Sequence, residues 1–258
     1  MKILFIADIV GGGGRNILGD KLGALRAAER PDFVIANAEN AAGGKGLTPA
    51  IAQELFSLGI NVLTMGNHTF DRKEIIDALD DPRILRPANY PPGVPGQGWG
   101  VYTAANNEPV GVINVMGRVY LPLIDCPFRA ADAALEQVRR EARVVFVDMH
   151  AEVTSEKSAL ARYLGGRVSA VVGTHTHVPT ADEIIFPSGT AFLTDAGMTG
   201  PSEGVIGMDG DTVLKKFLTG TPQYFVEAKG AAVMQGCIVE ADTATGAARS
   251  IRRFSLSS

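Results

Sequence analysis

The chain has 258 residues, 46% hydrophobic and 20% charged, with a formal net charge of −4. That composition suits a globule with a substantial core and argues against broad binding to nucleic acid, which demands a basic surface. It leaves a phosphate substrate open, because bound cations can offset the charge. Cys126 and Cys237 stand far apart with no C-x-x-C pairing, so reduced thiols are expected rather than a disulfide framework.

The first apolar run, K-I-L-F-I-A (2–7), is too short to span a membrane. It runs into Asp8 and lacks the small-residue cleavage site of a signal peptide, which predicts a buried first strand in a cytoplasmic protein. G-G-G-G-R (11–15) follows. It matches neither the dinucleotide pattern, since the third glycine position falls on Asn16 or Ile17, nor the phosphate loop, since no G-K-[ST] follows. A flexible loop beside Asp8 is expected there, the functional alternative being a loop that admits substrate near the metals.

Further buried strands are predicted at 33–38, 61–65, 144–149 and 168–172. Between them Thr48-Pro49 caps a helix carrying Ile51, Leu55 and Leu58 up to Gly59. Asp71 and Glu74 form a capping-box pattern before Ile75, Ile76 and Leu79. Ser155 opens a segment with Leu160, Tyr163 and Leu164, closed by Gly165-Gly166. The stretch 87–109 reads as a long loop, and 231–240 with 247–254 as an antiparallel pair around D-T-A-T-G. Strand and helix alternation predicts α/β class, and the absence of a linker predicts one domain over 1–258.

The chain has only four histidines, and each follows a predicted strand. Strand ends deliver Asp8, then Glu39 and Asn40, then Asn67 and His68, then His150, and last His175 and His177. Ligands of α/β sheets bind at the carboxyl ends of strands, so these side chains are expected on one rim. In an extended G-T-H-T-H segment, His175 and His177 would point the same way. Asp8, Glu39, Asn40, Asn67, His150, His175 and His177 form a nitrogen and oxygen donor set suited to divalent first-row metals. Seven donors exceed one tetrahedral ion and suit two ions sharing a carboxylate. His68 is left off the metals, as the group that assists the leaving oxygen or meets a phosphate oxygen.

Taken singly, these residues have plainer explanations. His150 fits a hydrogen-bonded core histidine, Asp8 a helix cap, and Asn67 a turn after Gly66. Asp71 fits a cap and Asp195 a turn, or either orients a ligand histidine. Arg118 fits a solvated charge or a phosphate contact. Their ordered recurrence at successive strand ends favours the metal site.

D-I-V-G, N-A-E-N, G-N-H-T-F-D, M-H-A-E and G-T-H-T-H, in this order, resemble the motifs of the calcineurin-like metallophosphoesterases, and more narrowly the bacterial YmdB-type phosphodiesterases. The likeness extends to M-G-R (116–118), T-D-A-G-M-T-G-P (194–201), V-I-G-M (205–208) and K-F-L-T-G-T-P (216–222). The chain departs from the wider superfamily in having Asp8-Ile9-Val10 where D-x-H is usual, and N-A-E-N where G-D-x-x-D is usual. The resemblance implies a four-layer αββα sandwich, two mixed β-sheets flanked by helices. It implies one ion on Asp8, Glu39, Asn40 and His177, and another on Glu39, Asn67, His150 and His175. Iron or manganese is preferred, with zinc and magnesium as alternatives.

The expected function is hydrolysis of a 2′,3′- or 3′,5′-cyclic nucleotide or related phosphoester by attack of a metal-bound hydroxide. The partner would be that small molecule, with no stable nucleic-acid binding, no membrane, and homo-oligomerisation left open. The competing reading is a regulatory metal-binding protein that acts through a partner. A nicotinamide-dependent oxidoreductase is disfavoured by the failed glycine pattern.

Overall fold

A computed structural model describes residues 1–258. The strands of the first half are β1 (Lys2–Ile6), β2 (Asp8–Ile9), β3 (Phe33–Asn37), β4 (Val62–Thr64), β5 (Ile84–Leu85), β6 (Trp99–Thr103) and β7 (Pro109–Met116). Those of the second half are β8 (Val144–His150), β9 (Ala170–Thr174), β10 (Ile184–Ile185), β11 (Ala191–Leu193), β12 (Met198–Pro201), β13 (Ala232–Ala241) and β14 (Ala248–Ser257). The helices are α1 (Gly11–Glu29), α2 (Pro49–Ser57), α3 (Pro127–Val138), α4 (Thr154–Tyr163) and α5 (Gly210–Thr219).

Two mixed sheets result. One has eight strands in the order β2-β12-β13-β1-β3-β4-β5, with β14 also paired to β13; the other has six, in the order β10-β11-β9-β8-β7-β6. Neighbours β1, β3 and β4 run parallel, as do β7, β8 and β9. The parallel strands are buried on both faces, which is why they read as continuous apolar runs rather than alternating ones.

Three apolar layers hold the stack together. Ile3, Phe5, Phe33 and Ile35 of the first sheet meet Val112, Val144, Phe146 and Val172 of the second. Phe5 and Phe146 touch across this seam with ring centroids 5.0 Å apart. Leu4 and Ile6 face outward onto Ile17, Leu18 and Leu22 of α1, while Val145, Val147 and Val171 pack under Leu135 of α3 and Leu160 of α4. The order is helix, sheet, sheet, helix: the four-layer sandwich. No helix is long and apolar enough to cross a membrane.

Several local expectations change. G-G-G-G-R is no loop but the first turn of α1, despite the poor helix propensity of glycine. Close packing explains part of it: a Cβ on Gly14 would lie 2.2 Å from the Thr199 carbonyl oxygen of β12. Glu227 supplies the missing cap, accepting from the Gly12 and Gly13 amides at 2.9 and 2.5 Å. The segment after Asp71 forms a 3-10 helix over Lys73–Ala78 rather than a boxed α-helix, with no side-chain cap. The expected loop 87–109 contains β6, which hydrogen-bonds to β7 in antiparallel register. The terminal antiparallel pair is present as β13 and β14, and Asp242 turns the chain by accepting from the Ala244 and Thr245 amides.

Candidate metal centre

The parallel strands of both sheets end at the same edge, and the candidate ligands lie just beyond them. Asp8 opens β2, Glu39 and Asn40 follow β3, Asn67 and His68 follow β4, and His150 ends β8. His175 and His177 follow β9, though not in an extended segment. Both have left-handed backbone, with φ of 95° and 64°. Asp195 holds this bend, accepting from the Thr176 hydroxyl at 2.7 Å and its amide at 3.3 Å. Buried Lys157 of α4 neutralises Asp195 at 2.6 Å. The two imidazoles thus reach one site through a strained turn rather than through strand alternation.

All seven side chains converge. His150 Nε2 lies 3.1 Å from Glu39 Oε1, 3.0 Å from His175 Nδ1 and 3.1 Å from Asn67 Oδ1. On the other side, Asn40 Nδ2 lies 3.2 Å from both Glu39 Oε1 and His177 Nε2. Asp8 Oδ1 lies 3.9 Å from His177 Nε2, and Asp8 Oδ2 accepts from the His175 amide at 3.3 Å. Two groups therefore meet, with Glu39 common to both. Gly66 makes room: a Cβ there would fall 2.2 Å from His150 Nε2 and 2.4 Å from Glu39 Oε2.

Burial charges this cluster unusually. It pushes the Asp8 carboxyl up to about 7, against the pull of His177 and His150. Burial also acts to raise Glu39, but the His150 imidazole and the His68 amide outweigh it and hold Glu39 well below the ordinary carboxylate range. His150 is lifted to about 9 by Glu39 despite its burial. Burial, reinforced by repulsion from His150, depresses His175 to about 3. A proton is thus held on His150 beside the Glu39 carboxylate, and a cation binding there would displace it.

Donor chemistry fits divalent cations. Asp8 Oδ1 is buried and has no hydrogen-bond partner, a costly state that a cation would relieve. His175 Nε2 is engaged by Glu152 Oε2 at 3.0 Å, which turns Nδ1 to the centre. His177 Nδ1 donates to the Ile206 carbonyl at 3.0 Å, leaving Nε2 to face Asp8 and Asn40. Each histidine has its outward nitrogen occupied and its inward lone pair aimed at the cluster, the arrangement ligand imidazoles need.

Support that sequence reasoning missed lies between the sheets. Asp148 of β8 accepts from Asn37 at 3.1 Å, Thr64 at 2.5 Å and Thr174 at 2.7 Å. Thr174 Oγ1 in turn sits 2.9 Å from His150 Nδ1. The available signal was a carboxylate inside the otherwise apolar V-V-F-V-D-M. Of the residues given two readings, Asp71 binds His68 Nδ1 at 2.9 Å and caps nothing. Asp195 holds the Thr176 turn and touches no imidazole. Arg118 points to no site residue; its amide binds Glu156.

The centre opens into a cleft of about 430 Å³. Its lining combines Glu39, Asn40, His68, His175 and His177 with the apolar Ile206, Met208, Phe217 and Phe225 and the two lysines Lys45 and Lys216.

Residues 4–254 match the family model described as YmdB-like protein. The chain is 48% identical over 255 residues to the 2′,3′-cyclic-nucleotide 2′-phosphodiesterase of Bacillus subtilis (strain 168), covering 98% of this chain and 96% of that one. A crystal structure of a hypothetical protein from Thermus thermophilus superposes with a TM-score of 0.94 at 42% identity, covering 100% of this chain and 99% of that one. A crystal structure described as a novel phosphatase from Mycoplasma pneumoniae superposes with a TM-score of 0.92 at 33% identity, covering 100% of this chain and 93% of that one.

Proposed function

This chain belongs to the YmdB-like protein family, and from that premise we propose that it is a phosphodiesterase opening cyclic nucleotides at a pair of divalent cations. The Bacillus subtilis relative favours the 2′,3′-cyclic class over the 3′,5′-cyclic one. Asp8, Glu39, Asn40 and His177 would hold one cation, and Glu39, Asn67, His150 and His175 the other. When bound, such a pair supplies Lewis acidity, polarising the phosphoryl group and lowering the pKa of water. Mixed imidazole, carboxylate and amide donors favour iron or manganese, with zinc and magnesium as the alternatives. Asn40 Nδ2 faces Glu39 and His177, so a half-turn of the amide about its Cβ–Cγ bond would be needed to present oxygen to a cation. The free thiols of Cys126 and Cys237 suit a reducing cytoplasm.

One observation carries the proposal: the Glu39 carboxylate stands between both donor groups, 3.1 Å from His150 and 3.2 Å from Asn40. The remaining chemistry belongs to His68. Its amide donates to Glu39 Oε2 at 3.0 Å, and its Nδ1 donates to Asp71, which leaves Nε2 facing the cleft. In the overall reaction the oxygen of water bonds to phosphorus and the P–O2′ bond breaks. His68 Nε2 delivers a proton to the departing O2′, and a 3′-phosphomonoester remains. Asp71 holds the imidazole in position for this transfer.

Replacing His68 by Ala tests the assignment. The cation-loaded variant should keep its metal content and lose about 10²–10⁴-fold in kcat on 2′,3′-cyclic AMP. Full turnover in that variant, or a wild-type protein that takes up no cations after reconstitution, would rule the proposal out.

A further inference from the structure

The cleft has a second wall that phosphate chemistry does not use. Residues 205–208 form a tight turn, with Val205 and Met208 bridged to each other and Met208 bridged to Glu227. Ile206 sits there in left-handed backbone, φ 46°, which a β-branched residue adopts only under constraint. Its carbonyl accepts from His177 Nδ1 at 3.0 Å. The apolar wall is thereby fastened directly to a histidine of the centre.

Phe225 is held against the same turn. The Asp209 amide donates to the Val226 carbonyl at 2.9 Å, and the Ala228 amide donates to the Gly207 carbonyl at 3.0 Å. Glu227 is bound to the Gly12 and Gly13 amides at the start of α1. The chain is thus anchored at both residues after Phe225, whose side chain lines the cleft. Lys216 of α5 places its ammonium 4.8 Å from that ring's centroid. An aromatic ring with the Lys216 ammonium over it, lining the same cleft as the donor cluster, suits a flat, electron-rich heterocycle joined to the scissile group.

We propose that Phe225, with Lys216 and the Ile206–Met208 turn, is the nucleobase subsite of this cleft. The assignment rests on the phosphodiesterase reading above and specifies what recognises the rest of the substrate. Among the residues lining the cleft, the amide and carboxylate side chains are Glu39, Asn40 and Glu152, all engaged at the donor cluster. The ammonium groups are Lys45 and Lys216, which leaves π-surface rather than a matched set of donors and acceptors for a base edge. Stacking of that kind is tolerant of base identity. The four common 2′,3′-cyclic nucleotides should therefore be turned over with kcat/KM within about tenfold of one another.

The decisive comparison pairs 2′,3′-cyclic AMP with glycerol 1,2-cyclic phosphate, which keeps the strained cyclic diester and lacks a base. Replacing Phe225 by Ala should lower the ratio of kcat/KM, nucleotide over glycerol ester, by about tenfold or more, mainly through KM. Phe225→Tyr should restore it. Equal losses on both substrates, or no loss on either, would overturn the subsite. A separate readout needs no turnover: Phe225→Trp should be quenched saturably by 3′-AMP and not by inorganic phosphate. If the wild type hydrolyses neither ester yet the tryptophan is quenched, the phosphodiesterase reading fails and the base subsite stands. Absence of quenching would dismiss the subsite whatever the turnover.

Discussion

Glu39 Oε1 and His150 Nε2 meet at 3.1 Å although Glu39 follows β3 of one sheet and His150 ends β8 of the other. The contact closes the edge of the sandwich, and every remaining candidate ligand lies on one side of it or the other. Because Glu39 is shared by both donor groups, Glu39→Gln should weaken both cation positions together. Metal analysis after reconstitution should fall from about two equivalents per chain to fewer than about one. Loss of only one equivalent would mean that the carboxylate does not join the two positions.

Asp148 sets the proton on His150 without touching it. Thr174 has one hydroxyl proton, and the 2.7 Å contact with Asp148 commits it, because a carboxylate only accepts. Thr174 Oγ1 must therefore accept from His150 Nδ1–H at 2.9 Å, which makes Nε2 the nitrogen that faces the cluster and gives up its proton when a cation binds. Asp148→Asn can reverse the chain: an amide N–H donates to Thr174, Thr174 donates to Nδ1, and the proton moves to Nε2. The variant should fold and bind manganese about 10–100-fold more weakly by titration calorimetry. Wild-type affinity would show that the imidazole is oriented by something else.

How much of this was legible in sequence follows from what each pattern encodes. Continuous apolar runs marked the buried parallel strands, and the residues after them supplied all seven candidate ligands, because chain order delivers strand ends to one edge. The resemblance, not the periodicity, implied two sheets. Asp148 was invisible as a support because a single carboxylate in an apolar run does not say which neighbours will meet it; Asn37, Thr64 and Thr174 come from three other strands. The helix beginning at Gly11 was hidden for a related reason. Its cap, Glu227, lies more than two hundred residues away, and local propensity argues against it.

The thiols should differ sharply in reactivity. Cys237 is fully buried between the sheets, and burial pushes its thiol far up. Cys126 is partly exposed ahead of α3; burial acts to raise it, but the Arg129 and Phe128 amides, with Arg118 and Arg129 nearby, bring it below the ordinary thiol value. A lowered pKa means more thiolate at a given pH, so alkylation of Cys126 should rise with pH and set in earlier than for a free cysteine. Peptide mass spectrometry after brief iodoacetamide treatment of native protein at about pH 7.5 should find label at Cys126 alone. Equal labelling of Cys237 would mean that the inter-sheet seam opens on that timescale.

Lys157 and Asp195 form a fully buried ion pair at 2.6 Å. Asp195 Oδ2 also accepts from the Thr176 amide and hydroxyl, in the loop that carries the two candidate histidines, while Oδ1 accepts from the Gly197 amide. Lys157→Met removes the positive partner and leaves Asp195 buried among neutral donors. Breaking such a pair from one side costs about 3–5 kcal/mol, which for a chain of this size lowers Tm by roughly 6–20 °C. Lys157→Met combined with Asp195→Leu removes both charges and should recover part of that stability, yet it also strips the Thr176 turn of its acceptor. Calorimetry should therefore show the double variant more stable than the single one, while manganese affinity stays below wild type in both. Affinity returning together with stability would mean that the left-handed turn at His175 and His177 holds itself, and that Asp195 serves only the core.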